Sequence, residues 1–330
     1  MSEKRPITAD DLYRMHWVSD PAVSPKNGAV AYIMKAVNDQ HGGYTSHIRL
    51  ISPDGREDTT FTAGEQDASP AWSPDGSRLA FLRKKGDARQ VWVMPAHGGE
   101  AQAVTELKHG VSAFKWAPDG SALLLRAEAP SADEAVGADS GAQAEKAGKD
   151  KQPDEKIIHR IKYKADGAGL WNDRRTHLFV HDLATSACTP VTSGDFDVSS
   201  FNWSPDGSRI IYTATHASAS FPDPDLRLTN DLFVAERDGG NVRQLTDGRL
   251  SIGAIAYTPD GSHILMLADD LNCGFATLTR IYLIPVKAAR HAPAMRTSTY
   301  SSDTPALAIC AREPAVRPSS VKTASTSSCS

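Results

Sequence analysis

The chain has 330 residues, with 36 Lys plus Arg against 40 Asp plus Glu and a formal charge of −4 at neutral pH. A balance this even excludes a global attraction to nucleic acid or to an anionic membrane surface, and no stretch approaches the roughly 20 apolar residues that a membrane-spanning helix needs. Four scattered cysteines (Cys188, Cys273, Cys310, Cys329) with no CxxC pair argue against a disulfide framework and against a structural zinc site.

The N-terminal segment, residues 1–22, starts with the polar "MSEKRPITADDLYRM", which lacks the apolar core of a signal peptide; the expected location is the cytoplasm. Thr8 followed three residues later by Asp11 has capping-box spacing and predicts a short helix through "DLYRM", packed beside the following domain. A protein-binding helix is the alternative.

From residue 22 one string returns five times: "AVSPKNGAVAYI" (22–33), "AWSPDGSRLAFL" (71–82), "KWAPDGSALLLR" (115–126), "NWSPDGSRIIYT" (202–213) and "AYTPDGSHILML" (256–267). Pro presets the first central position of a tight turn, Asp tolerates the next and Gly takes the left-handed position that closes a hairpin. The prolines, Pro25, Pro74, Pro118, Pro205 and Pro259, stand 49, 44, 87 and 54 residues apart. Between the turns lie "HIRLISPDGREDTTFT" (47–62), "QVWVMPAHGGEAQAVT" (90–105), "HLFVHDLATSACTPVT" (177–192) and "DLFVAERDGGNVRQLT" (231–246), each reading as strand, polar turn and short strand ending in Thr. Only one such element falls in the long gap, so that unit is a single repeat with an insertion. The insertion, 127–156, is rich in Ala, Gly, Asp, Glu and Lys and has no aromatic residue. It cannot bury enough apolar area to offset its ordering entropy and is expected to be disordered.

About four short antiparallel strands per unit at this period match a β-propeller blade. The predicted fold is all-β: an incomplete propeller of four to five four-stranded blades over 23–286, of the WD40-like or TolB-like kind. From Lys287 the alternation stops, and the tail 287–330 is expected to be disordered, a degraded remnant or the product of a lost reading frame. An open arc of blades leaves two apolar faces, so poor solubility or pairing with another chain is expected. Trp72, Trp116 and Trp203 precede the turns and are expected to pack on a neighbouring blade; a solvent-facing ligand platform is the alternative.

No catalytic, cofactor-binding or metal site is predicted. The nucleophile elbow of an α/β-hydrolase needs G-x-S-x-G; the nearest string, "GADSG" (137–141), has the wrong spacing. Ser24, Ser73 and Ser204 repeat with the blades, whereas a nucleophile is unique, so they are read as turn residues. His177 and His181 flank "LFV" in a strand, where four residues span roughly 13 Å, too far for one metal ion; a solvent-facing or hydrogen-bonded role is expected. Asp223, Asp225 and Asp231 of "FPDPDLRLTND" could hold calcium but lack the glycine-punctuated spacing of a calcium loop, which favours a solvated loop. No phosphate-binding or dinucleotide fingerprint is present.

The N-terminal "ITADDLYRMHWVSDPAVSP", the WSPDG hairpins, "GGEAQAVT", "GGNVRQLT" and "IKYKADGAGLW" (161–171) together resemble the propeller half of the S9 (prolyl oligopeptidase) serine peptidases. They are most similar to the bacterial acylaminoacyl-peptidase or dipeptidyl-peptidase-like branch, which "DPDLRLTNDLFV" (223–234) and "ATLTRIYLIP" (276–285) also fit. The resemblance covers about residues 7–286; the hairpins alone are shared with TolB-like propellers. It implies a propeller, usually seven-bladed, that admits short peptides through its channel to an α/β-hydrolase domain with a Ser-Asp-His triad. This chain shows four blades and most of a fifth and no hydrolase half. The expectation is therefore a truncated, substrate-gating part of a peptidase that releases N-terminal residues or acyl-amino acids, inactive alone and partnered by peptides and by the missing hydrolase domain. A self-standing TolB-like protein-binding module is the alternative.

Overall fold

The computed structural model describes residues 5–38, 40, 42–129, 161–166, 169–170, 174–217, 222–271 and 278–287. Five antiparallel sheets follow one another along the chain. The first holds β1 (His16–Val23), β2 (Val30–Val37), β3 (Tyr44–Ile51) and β4 (Asp58–Thr60), and the second β5 (Ala68–Trp72), β6 (Arg78–Lys85), β7 (Ala88–Pro95) and β8 (Gln102–Ala103). The third pairs β9 (Ala113–Trp116) and β10 (Ala122–Glu128) with β13 (Thr176–Asp182) and β14 (Cys188–Pro190); the small hairpin of β11 (Lys164–Ala165) and β12 (Gly169–Leu170) interrupts it in sequence. The fourth holds β15 (Val198–Trp203), β16 (Arg209–Ala214), β17 (Asp231–Glu236) and β18 (Arg243–Gln244), and the fifth only β19 (Ser251–Tyr257), β20 (His263–Asp269) and β21 (Arg280–Pro285). These are propeller blades, four of four strands each and, among the described residues, a fifth of three. Among the described residues no sheet joins the fifth blade back to the first.

The short helix expected at the N-terminus is present as a six-residue 3-10 helix, Ala9–Arg14, with Thr8 and Asp11 forming the capping box, and none of its residues is buried. Thr8 N–H donates to the Asp11 carboxylate at 2.8 Å, and Arg5 holds the same carboxylate. With nothing to bury, this segment has no packing to extend it into a longer helix. The chain then enters the sheet at His16, inside the span read as a separate N-terminal segment. The insertion expected over 127–156 lies outside the described residues from 130 onward, as does the tail beyond Lys287.

Each of the four blade interfaces holds one apolar cluster. Ala31, Ile33 and Ile48 meet Leu79, Phe81 and Met94 between the first two blades. Leu79 and Phe81 point to the first blade while Ala80 and Leu82 of the same strand point to the third. A middle strand is thus covered on both faces, which is why "LAFL" is a continuous apolar run and not an alternating one. Each fully buried Leu or Phe contributes about 1.5–3 kcal/mol.

The repeated turn adds a second, polar link between blades. Trp72 Nε1 donates to Ala22 O at 3.0 Å, Trp116 Nε1 to Ala71 O at 3.0 Å, and Trp203 Nε1 to Lys115 O at 3.4 Å. Each acceptor is the residue preceding the equivalent position of the blade before, so the indoles form a ladder that reaches backward along the chain. An arginine covers each of the later two rungs. Arg78 lies 5.0 Å from the Trp116 ring and donates to Gly120 O at 3.0 Å. The third blade has Ala122 where the second has Arg78, and there Arg237 of the fourth blade covers its own Trp203 at 5.3 Å. Arg237 also reaches back to Ser121 Oγ at 3.1 Å. Adjacent turns touch closely: at Gly76, with φ of +67°, a methyl group would stand 2.6 Å from Lys26 Cβ. Only glycine fits that turn.

The threonine that ends each outer element is a clamp. Thr62, Thr105, Thr192 and Thr246 each accept, through Oγ1, a backbone N–H of the third strand, from Ile48, Val91, Leu178 and Leu232, at 2.9–3.0 Å. Each hydroxyl also meets a buried polar side chain: Asp67, Gln90, His177 and Asp231 in turn. The last three polar residues stand 15 positions before their threonine.

Candidate functional site

First strands of neighbouring blades meet one another, β1 with β5, β5 with β9 and β15 with β19, so they form the inner edge of the array. Four of the five are broken by a bulge, at Ser19/Ala22, Ala68/Ala71, Val198/Phe201 and Ile252/Ala254. Asp20 and Ser69 take φ of +51° there. A bulge leaves residues unpaired and re-aims their side chains, and Asp20, Ser69, Ser199 and Gly253 are exposed. Two bonds cross between blades at the bulges: the Arg126 guanidinium donates to Ser199 O, and the Ser200 hydroxyl to Gly253 O. At its bulges the inner edge thus exposes an aspartate, two serines and a glycine.

The turn serines are consumed by their hairpins. Ser73 Oγ donates to Asp75 at 2.6 Å and accepts Arg78 N–H at 3.0 Å; Ser204 donates to Asp206 at 2.5 Å and accepts Arg209 N–H at 2.9 Å. Ser24, in a turn with Lys26 at the aspartate position, is buried and receives Lys26 N–H at 3.4 Å. The Ser204 hydroxyl, then the Ser208 N–H and hydroxyl, hold the Asp206 carboxyl down at about 2. A carboxylate so saturated takes no proton from its serine near neutral pH, the opposite of what a general base must do.

Asp223, Asp225 and Asp231 do not converge. Asp223 caps a 3-10 turn, Pro224–Leu226, by accepting Asp225 N–H at 2.8 Å. Asp231 turns inward, accepting from Arg227 at 3.1 Å and from the Thr246 hydroxyl at 2.9 Å. Among the described residues no group of three or more His, Cys, Asp or Glu side chains is placed to hold a metal ion. The solvated loop expected here is a buried ion pair at its Asp231 end.

His177 and His181 are both buried, which removes the solvent-facing option. His177 contacts Thr192 Oγ1 at 3.2 Å and Gly194 O at 3.0 Å. Its ring meets Phe196 edge-on at 5.1 Å, and Phe196 stacks in turn on His216 at 4.0 Å. Burial holds the imidazoles of His177, His181 and His216 below their usual range. A depressed folded value means that their contribution to stability is complete above the unfolded value, about 6.5, and is lost as pH falls below it. The turn aspartates titrate well below that window. The urea midpoint is therefore expected to drop between pH 7.5 and 5.5, and His181→Leu is expected to flatten that drop. A midpoint that stays level over this interval counts against burial as the cause.

Two open grooves lie where blades meet at the turn end. One of about 650 Å³, between the third and fourth blades, is lined by Asp182, Glu236 and Asp238 against Arg209 and Arg237. The other, of about 370 Å³, lies between the fourth and fifth blades around Arg209, Arg243 and Lys287. The threonine clamp and the grooves were missed in sequence. The fixed spacing of 15 between a polar residue and the terminal Thr is the signal that could have found the clamp.

The family model of the acylaminoacyl-peptidase N-terminal beta-propeller domain matches residues 144–270. The uncharacterized peptidase YuxL of Bacillus subtilis (strain 168) is 33% identical over 217 residues, 64% of this chain and 31% of its own length. Dipeptidyl-peptidase 5 of Porphyromonas endodontalis is 22% identical over 306 residues, 86% of this chain and 41% of its own. The uncomplexed acylaminoacyl peptidase of Pyrococcus horikoshii shares the fold at a TM-score of 0.61 and 18% identity, over 87% of this chain and 40% of that one. The chain spans less than half the length of these proteins.

Proposed function

The chain carries the β-propeller of the acylaminoacyl-peptidase-like S9 peptidases, and on that premise we propose that it is the access-limiting lobe of a peptidase acting on short peptides. One observation carries the proposal: the turn hydroxyls and the strand histidines are spent on holding the blades, while the inner edge exposes small polar groups past which an extended peptide can slide. Bond cleavage then falls to an α/β-hydrolase portion outside this chain. The propeller contributes selection by size, since a folded protein cannot follow an extended segment along the inner edge.

The test uses the purified chain with chromogenic dipeptide and acetyl-amino-acid anilides, alone and co-expressed with an α/β-hydrolase domain of the same family. The chain alone is expected to give no turnover. The pair is expected to cleave the short substrates and to leave a folded protein intact. Turnover by the chain alone, or cleavage of the folded protein by the pair, would overturn the proposal.

A further inference from the structure

The third blade breaks the repeat at two positions on the face it turns toward the fourth. Lys115 of β9 stands where the other blades have Ala22, Ala71, Asn202 and Ala256, and Arg126 of β10 where they have Ile33, Leu82, Thr213 and Leu267. Lys115 lies opposite Leu124 and Ala113 opposite Arg126, so the two cations share one face and stand diagonally across the strand pair. On that face Leu124 joins the apolar cluster of Phe201 and Trp203, and the Lys115 ammonium lies 5.9 Å from the Phe201 ring. Both side chains are half-buried. Among the described residues Lys115 has no hydrogen bond or ion pair. Arg126 donates only to neutral acceptors, the Ser112 hydroxyl at 3.1 Å and Ser199 O, and its Nη2 is unbonded among the described residues. Carboxylates nearby in the chain are spent elsewhere, Glu128 on Arg174 and both Asp195 and Asp197 on Arg175. Burial holds the ammonium and the guanidinium below their ordinary ranges, and no carboxylate offsets it.

We propose that Lys115 and Arg126 form a subsite for the carboxylate of a short peptide, at the inner end of the junction between the third and fourth blades. The inference rests on the passage of extended peptides along the inner edge. β9 and β15 belong to that edge, and Ser112 and Ser199, the two residues that Arg126 holds, are exposed there. Two like charges brought together and partly desolvated weaken the junction, where Ala71 and Leu82 simply pack at the junction before it. An anion between them turns that repulsion into attraction. A carboxylate can take the open guanidinium N–H groups and the ammonium at once. β9 is also the one inner strand without a bulge, so its side chains keep a fixed alternation against β10. Anchoring the carboxylate there fixes one end of the peptide, which makes its length and its charge part of what is selected.

Calorimetric titration of the full chain with acetyl-trialanine bearing a free C-terminus, at constant ionic strength, is expected to give saturable one-site binding. The C-terminal amide of the same peptide is expected to bind at least tenfold more weakly, and Lys115→Met to weaken binding of the free acid at least tenfold. Because Lys115 holds no protein acceptor, this variant is expected to match or exceed the wild-type urea midpoint, which separates lost binding from lost fold. Arg126→Lys keeps the charge and loses the fork, and is expected to bind several-fold more weakly than wild type. Acetyl-Ala-Glu-Ala amide locates the carboxylate: weaker binding than the free acid assigns the chain terminus, and equal or tighter binding assigns an acidic side chain. Equal affinity for acetyl-trialanine and its amide, an unchanged affinity in Lys115→Met, or acetate binding as tightly as the peptide would overturn the subsite. If the peptides bind as expected while the co-expressed pair cleaves nothing, the access-limiting role falls and the subsite stands. Cleavage by the pair with equal affinity for acid and amide sinks the subsite alone.

Discussion

Trp116→Ala is expected to destabilise the chain by about 3–5 kcal/mol, the range for truncating a buried tryptophan. The indole is buried in the apolar cluster between the second and third blades, which also holds Leu123 and Leu125 of its own blade and Ala80 and Leu82 of the preceding one. Its removal opens a cavity, leaves Ala71 O without its donor at 3.0 Å and deprives Arg78 of the ring it covers. Trp116→Phe separates these effects. It keeps a ring in the cavity and loses the N–H with part of the indole's volume, so its cost is the hydrogen bond, about 0.5–1.5 kcal/mol, plus that of a smaller cavity. Urea unfolding of both variants is the measurement. If the alanine variant lost less than 1 kcal/mol, the ladder would be ornament and the apolar clusters alone would hold the blades.

The second large effect is expected at Asp231. Its side chain is 4% exposed and that of its partner Arg227 is 7% exposed, so Asp231→Ala leaves a buried guanidinium without its counter-charge. Breaking one side of a buried pair costs about 3–5 kcal/mol. The same variant also frees the Thr246 hydroxyl that clamps Leu232 N–H. The double variant Arg227→Met with Asp231→Leu is expected to be more stable than Asp231→Ala, because it leaves no unpaired charge. The second blade carries the same device, with Arg83 on Asp67 at 2.6 Å, but Arg83 is 21% exposed and water can compensate it. Asp67→Ala is therefore expected to cost less than Asp231→Ala. An equal loss at the two positions would mean that burial does not set the cost.

The blades themselves were legible because their signal is local. Pro-Asp-Gly needs a left-handed glycine wherever it closes a hairpin, and Gly76, Gly120, Gly207 and Gly261 all have φ between +67° and +70°. The packing of Trp72, Trp116 and Trp203 on the preceding blade was legible for a related reason, since a position that recurs with the repeat belongs to the repeat. β1 was not, because "HWVSDPAV" has no covered face on one side and so no burial period to read. The burial of His177 and His181 depended on partners that the strand does not contain, among them Thr192 and Gly194. Arg237 standing in for the arginine absent at Ala122 joins residues more than a hundred positions apart, and no spacing rule reaches that far.

The indole ladder gives the stack of blades a polarity, like the two ends of a filament. Every rung is a donor on the later blade gripping an acceptor on the earlier one. At the trailing end the acceptor position is Ala256, and at the leading end the donor position is Val23, a side chain with no hydrogen to give. Two copies placed head to tail would bring these ends together and find the rung empty. Open-ended contacts of that kind are the ones that propagate into fibres, and Val23 leaves this one without the rung that joins the first four blades.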